Sequence, residues 1–155
     1  MEIKKGNLLE SDVPAIIHQC NCFHTMGGGV ALQLAAKYPA VYEADLKTDY
    51  GDKDKLGTFS VAEINGPKLK VVLNLYAQYD FGPGKQTDYL YLMSGLKDAL
   101  GYLADRDIHR VGLPYLIGCG LAGGDEKTVL DIIEAVQGVC PEVSIELYKL
   151  ERNND

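Results

Sequence analysis

HQCNCFHTMGGGVALQLAAKYP, residues 18–39, decides how this chain is read. Three glycines stand together at 27–29. Residues 28–38 then show helical periodicity through Val30, Leu34 and Tyr38, and Pro39 ends or bends the helix. Upstream, residues 13–20 (VPAIIHQC) form a short, partly β-branched run that reads as a strand. Glycines at such a strand-to-helix junction permit positive φ and let a ligand approach the main chain. The helix N-terminus adds unpaired N–H groups and partial positive charge. That combination is the geometry of a phosphate cradle, although the GxxxxGK[ST] pattern of a P-loop is absent.

A second stretch, PYLIGCGLAGGDEKTV at 114–129, repeats the arrangement. Residues 111–116 read as a strand and 125–139 as a helix, with Gly118, Gly120, Gly123 and Gly124 between them. One glycine loop after a strand is ordinary turn chemistry. Two in a small domain, on parallel strands, would aim at one edge of the sheet and hold a ligand with two phosphates, or a phosphate and a sugar.

The remaining pattern agrees with a layered fold. Residues 58–64 and 69–75 read as strands joined at Asn65-Gly66, a hairpin turn signal. Residues 87–105 read as a long helix with Thr87 as a possible N-cap, and 143–150 as a final strand. DYGDKDKLG (49–57) and YDFGPGKQTD (79–88) read as loops. Strands interleaved with helices predict an α/β fold, a three-layer α/β/α sandwich with a mixed central sheet. Its ligand would gather beyond the strand ends.

With 155 residues the chain is expected to form a single domain over 1–155. A net charge of −7 counts against a nonspecific grip on nucleic acid, which needs a cationic stripe, but not against an anion held by backbone N–H groups. No run is long and apolar enough to span a membrane, and MEIKKGNLLE has no apolar signal segment. We therefore expect a cytoplasmic protein, free thiols at Cys20, Cys22, Cys119 and Cys140, no metal or cofactor, and a monomer.

Several side chains could do chemistry. His18 ends the first strand and suits proton transfer or attack on a phosphomonoester, or else a buried role fixing Asn21. Asp125 opens the last helix, as a cap or as a group that orients water. Cys119 could be activated by a helix N-terminus or could simply keep its loop tight. His24 could meet ligand or solvent, and His109 is expected at the surface. Tyr76, Tyr79 and Phe81 would pack over a sugar or cover the core rim.

GNLL (6–9), Asn21-Cys22 followed by MGGGVALQ (26–33), and IGCGLAGGD (117–125) together resemble a macro domain, in order and across nearly the whole chain. Two branches are most similar. One is the yeast-type ADP-ribose-1″-phosphate phosphatase, with its H-x-C-N-C…GGG-[VI]-A-x-Q-L-A…YP pattern. The other is the terminal ADP-ribose glycohydrolase branch, which includes bacterial enzymes that remove ADP-ribose from DNA. The resemblance implies a cleft for ADP-ribose or a derivative, which could be carried on a modified macromolecule. By position, Asn21 would hydrogen-bond the distal ribose. Gly27, Gly28 and Gly29, with Val30, would lie under that ribose and its phosphate. Gly118, Cys119, Gly120 and Leu121 would wrap the diphosphate, and Tyr148 would lie beside the adenosine.

Asn7 stands where many macro domains carry the aspartate that reads adenine, and is expected to contact the base without that charge. Gln78 stands where the glycohydrolase branch carries a catalytic lysine, and Ala122 near that lysine's partner aspartate. A glutamine forms no covalent adduct with an opened ribose. The expected activity is therefore hydrolysis of ADP-ribose-1″-phosphate to ADP-ribose and phosphate, with His18 and Asp125 at the reacting end. The alternatives are a deacylase or glycosidase releasing ADP-ribose from O-acyl-ADP-ribose, protein or DNA, and a reader that only binds.

Overall fold

The computed structural model describes residues 1–120 and 122–150. Its strands are β1 (Glu2–Lys5), β2 (Ala15–Cys20), β3 (Phe59–Glu63), β4 (Val71–Tyr76), β5 (Arg110–Pro114) and β6 (Ser144–Lys149). They form one sheet in the order β1-β6-β5-β2-β4-β3. Every neighbouring pair is parallel except β3 with β4, so the sheet is mixed, as expected.

Alternation along β2 splits the core. Ala15 and Ile17 face one side, packed with Leu92, Leu96 and Leu100 of α3 (Tyr89–Asp105) and Val129 and Ile133 of α4 (Glu126–Val139). Ile16 and Cys20 face the other, with Leu34 of α1 (Gly29–Lys37) and Val41 of α2 (Pro39–Leu46). The result is the expected α/β/α sandwich. The β4 strand is buried along its whole length, as a near-central strand covered on both faces must be.

This topology positions the site. β2 and β5 are adjacent and parallel, so their C-terminal ends lie together at one edge. The chain leaves β2 for α1 on one face and leaves β5 for α4 on the other. Neighbouring strands whose connections diverge in this way open a crevice between the two loops, at the switch point where open α/β sheets bind ligands.

Two local expectations need correction, and two further features go beyond the sequence reading. Asn65-Gly66 is not a two-residue hairpin turn: Ile64 N bonds Lys70 O, and both Lys70 N and Val71 N bond Pro14 O, so the connection is longer. Asp88, not Thr87, caps α3, accepting from Leu90 N and Tyr91 N at 3.1 and 3.3 Å. Pro39 does not merely end α1. Tyr38 is extended, and Pro39 opens α2 at a position where its missing N–H costs nothing. The first residues form β1, aligned with β6 from Glu2↔Glu146 to Lys5↔Lys149, although their charge and exposure carried no strand signal.

Candidate functional site

Both glycine loops line one cleft of about 1070 Å³. The first contributes Asn21, Thr25, Met26, Gly27, Gly28, Gly29 and Val30, the second Gly118 and Gly120. Tyr148 lines it too, with Pro114, Tyr115 and Lys149. Leu121, expected to wrap the diphosphate, lies outside the described residues.

The two loops present their backbones differently. Gly28 is the N-cap of α1, extended, with no side chain capping the helix. The first-turn N–H groups of α1 are thus left for solvent or ligand at the cleft wall. By contrast, the N-terminus of α4 is already occupied. Asp125 accepts from Thr128 N at 3.0 Å and Thr128 Oγ1 at 2.8 Å, and the amide bond comes first among the causes holding its carboxyl below the usual range. The second loop reaches the cleft through its own main chain, and α4, capped by Asp125, adds only its first residue, Glu126. Gly118, at φ +73, and Gly123, at φ +72, provide its bends, while Gly124 N bonds Gly118 O at 2.7 Å.

The structure does not bring Asn7, Cys119 or Asp125 to the cleft wall. Asn7 caps the 3₁₀ turn Leu8–Glu10, its Oδ1 accepting from Leu9 N at 3.0 Å. Cys119 packs against the core beneath the loop, and burial pushes its thiol up, which agrees with the tight-loop reading and not with activation by a helix end. Asp125 is the cap already described. Asn21 does line the cleft, but its side chain folds the loop: Oδ1 accepts from Phe23 N at 2.8 Å and Nδ2 donates to Thr25 Oγ1 at 2.5 Å. Tyr148 is tethered through its hydroxyl to Glu146 Oε1 at 2.9 Å. Arg110 and Lys4 also pair with Glu146, and Arg110 leads in holding its carboxyl down to about 2.

His18 lines the cleft floor yet is only 1% exposed. Its Nε2 lies 2.6 Å from Asn74 Oδ1. Burial lowers its pKa to about 4, outweighing the hydrogen bond to Asn74, so the ring is neutral at neutral pH. His24 does not turn to the cleft. It takes φ +55 and binds Thr48 O through Nε2 at 2.8 Å. His109 is at the surface with Asp107, as expected. Tyr76 is buried in the core, Tyr79 donates to Gly51 O at 2.6 Å, and Phe81, 54% exposed, lines the cleft mouth.

Pattern reading missed a polar clamp between the loops. Gln19 Nε2 donates to Gln78 Oε1 and to Thr87 Oγ1, both at 2.9 Å, and Thr87 Oγ1 donates to Gly118 O at 2.6 Å. Gln19 Oε1 is buried without a hydrogen-bond partner among the described residues. The period of two places Gln19 on the face opposite His18, but its partners lie 59 and 68 residues away, beyond any local signal.

Comparison with known proteins places this architecture. Residues 17–133 match the macro domain family. The chain is a macro domain. It is 40% identical over 123 residues to an uncharacterized 17.5 kDa protein of Enterobacteria phage T4, covering 78% of this chain and 76% of that one. It is 28% identical over 147 residues to a DNA ADP-ribosyl glycohydrolase of Mycobacterium tuberculosis, covering 92% of this macro domain but only 40% of the relative's length. A shorter similarity, 51% over 37 residues, links it to an ADP-ribose 1″-phosphate phosphatase of Saccharomyces cerevisiae, over 23% of this chain and 21% of that protein. Among solved structures, the macrodomain of Mycobacterium tuberculosis DarG superimposes with a TM-score of 0.80 at 23% identity, over 95% of both chains. That likeness confirms the fold of this macro domain.

Proposed function

We propose that this macro domain binds ADP-ribose in the cleft and hydrolyses a glycosidic bond to its distal ribose. The observation that carries the reading is the uncapped N-terminus of α1 in the wall of a cleft that also contains Gly118 and Gly120. Backbone N–H groups there suit a diphosphate without cationic side chains. Tyr148 offers an aromatic wall for the base at one end. Asn21, Gln19, Gln78 and His18 would border the distal ribose at the other.

Charge guides the choice of bond. A 1″-phosphate would bring up to about two further negative charges to this end of the cleft. His18 is neutral there, and Lys149, the one lysine among the lining residues, sits beside Tyr148. That arrangement favours a glycosidic substrate, which places no phosphomonoester at C1″. Similarity to a DNA ADP-ribosyl glycohydrolase over most of the chain supports the same choice. Because Gln78 forms no covalent adduct, the reaction we favour is direct attack of water at C1″, through the oxocarbenium-like transition state usual for glycosides. The loops would supply orientation and fixed dipoles.

The test is parallel incubation with an ADP-ribosylated oligonucleotide and with ADP-ribose-1″-phosphate. Release of ADP-ribose from the first, without phosphate from the second, is expected. Phosphate release alone would restore the phosphatase reading, and binding without release of either product would make the protein a reader.

A further inference from the structure

We infer that Asn74 is a positioning residue that fixes the tautomer of His18, so that His18 can meet a ligand only as a hydrogen-bond acceptor through Nδ1. Its assignment to a ribose hydroxyl or water rests on the reading of the cleft above; the tautomer itself does not.

Asn74 Nδ2 lies 3.0 Å from Val41 O and 3.0 Å from Ser60 Oγ. A carbonyl only accepts, so the amide nitrogen must face Val41 and the amide oxygen must face His18. His18 Nε2, 2.6 Å from that oxygen, must then carry the ring proton. A neutral imidazole has one N–H, so Nδ1 is left with its lone pair. Beyond Asn74 every hydrogen is likewise assigned. Tyr76 donates to Asp45 Oδ1 at 2.6 Å, so at the 2.9 Å contact between Ser60 Oγ and Tyr76 the serine donates. Four successive donors, His18, Asn74, Ser60 and Tyr76, thus point one way, from the cleft floor to a buried carboxyl on α2. Among the described residues Asp45 Oδ2 has no hydrogen-bond partner, and Tyr76 anchors this carboxyl through Oδ1.

The surroundings reinforce the arrangement. Ile16 and Cys20 flank His18 on its own face of β2. Cys20 Sγ lies 3.8 Å from Nδ1 and 3.6 Å from Nε2, and burial pushes its thiol up, so it brings no negative charge to the ring, and its S–H is a weak donor to Nδ1 that a ligand hydroxyl or water would displace. From the other elements, Asp45 acts through Tyr76, and Lys55 stands 4.6 Å from the centre of the Tyr76 ring. Cys22, also buried, has its thiol pushed up by burial. His18 therefore has an acceptor but no proton to give a leaving group. It can orient a hydroxyl or a water, and protonating the departing group falls to solvent or to the substrate.

Nitrogen-15 NMR of the histidine side chains, on the full chain without ligand, tests the tautomer. We expect His18 to show the Nε2–H form across about pH 5.5 to 8, and its Nδ1 resonance to move when ADP-ribose is added. Asn74→Asp should keep Nε2 protonated while raising the ring's pKa, shifting the pH profiles of the NMR signal and of turnover together. Asn74→Leu should yield mixed tautomers and roughly tenfold weaker ADP-ribose binding. Ser60→Ala, which leaves the Val41 contact in place, should keep the wild-type tautomer. An Nδ1–H tautomer in the wild type, or an unchanged one in Asn74→Leu, overturns the inference. Should Asn74→Leu fail to fold, the wild-type spectrum decides alone. A wild-type Nε2–H form that never responds to ADP-ribose would uphold the tautomer and sink only the ligand assignment.

Discussion

The hydroxyl of Thr87 donates to the carbonyl of Gly118 at 2.6 Å while accepting from Gln19 Nε2 at 2.9 Å. One side chain, just before α3, thereby joins the second glycine loop to the strand that feeds the first. Gln86 N and Thr87 N both bond Ala122 O, so the segment and the loop are also tied through the main chain. The distance between the two loops depends on this joint, and a diphosphate held from both sides would register any change in it.

Thr87→Val keeps the shape and removes the hydroxyl, leaving buried polar atoms unpaired. We expect a loss of about 1–3 kcal/mol in stability by denaturant titration and roughly tenfold weaker ADP-ribose binding by calorimetry. Thr87→Ser, which retains the hydroxyl, should lose little of either. Equal losses in both variants would show that the methyl packing, and not the joint, matters.

Two glycine substitutions separate folding from ligand approach. A Cβ on Gly27 would meet nothing within 4 Å. Gly27→Ala should therefore stay within about 0.5 kcal/mol of wild-type stability yet lose about tenfold or more in ADP-ribose affinity, because the methyl enters the cleft. At Gly118, φ is +73 and a Cβ would lie 2.9 Å from Gln19 Oε1 and 3.1 Å from Thr87 Oγ1. Gly118→Ala should cost about 1–3 kcal/mol in folding as well as binding. Thermal melts paired with calorimetry check both variants.

The buried imidazole predicts how stability changes with pH. His18 has a folded pKa of about 4, below its ordinary unfolded value, so the unfolded chain binds more protons between the two. Stability should fall as pH drops from about 6.5 toward 4, by up to about 3 kcal/mol. Glu146, held down to about 2, loses its contribution only below the ordinary carboxylate range, so the window above about pH 4.5 isolates His18. His109 is raised by its hydrogen bond to Asp107 and acts in the opposite sense, but it is exposed and its effect is weak. Denaturant titrations at several pH values should show the slope in the wild type and a flatter line in His18→Gln.

What could be read in advance, and what could not, follows from the range of the interactions. Glycines 27–29 between a β-branched run and a helical period disclose a strand, a loop and a helix without help from the rest of the chain. The second loop discloses itself in the same way, and adjacency of parallel β2 and β5 then brings the two together. β1 was illegible because EIKK becomes a strand only by pairing with β6, over 140 residues later. Thr87 and Asp88 can both cap a helix on paper, Asp being the stronger. The choice falls to Asp88 because Thr87 is drawn inward to Gly118. Asn74 and His18 are 56 residues apart, and the polar atoms between them pair only once α2 has covered that face. Local patterns thus locate the backbone of the site, whereas its side-chain wiring appears only in three dimensions.

Two backbone loops acting together on one ligand is the central claim, and a proton–nitrogen NMR titration with ADP-ribose tests it most directly. The account predicts that the amides of Gly27, Gly28, Gly29 and Val30 shift along one saturable curve with those of Gly118 and Gly120. Shifts confined to a single loop, or none in either at saturating ligand, would contradict it.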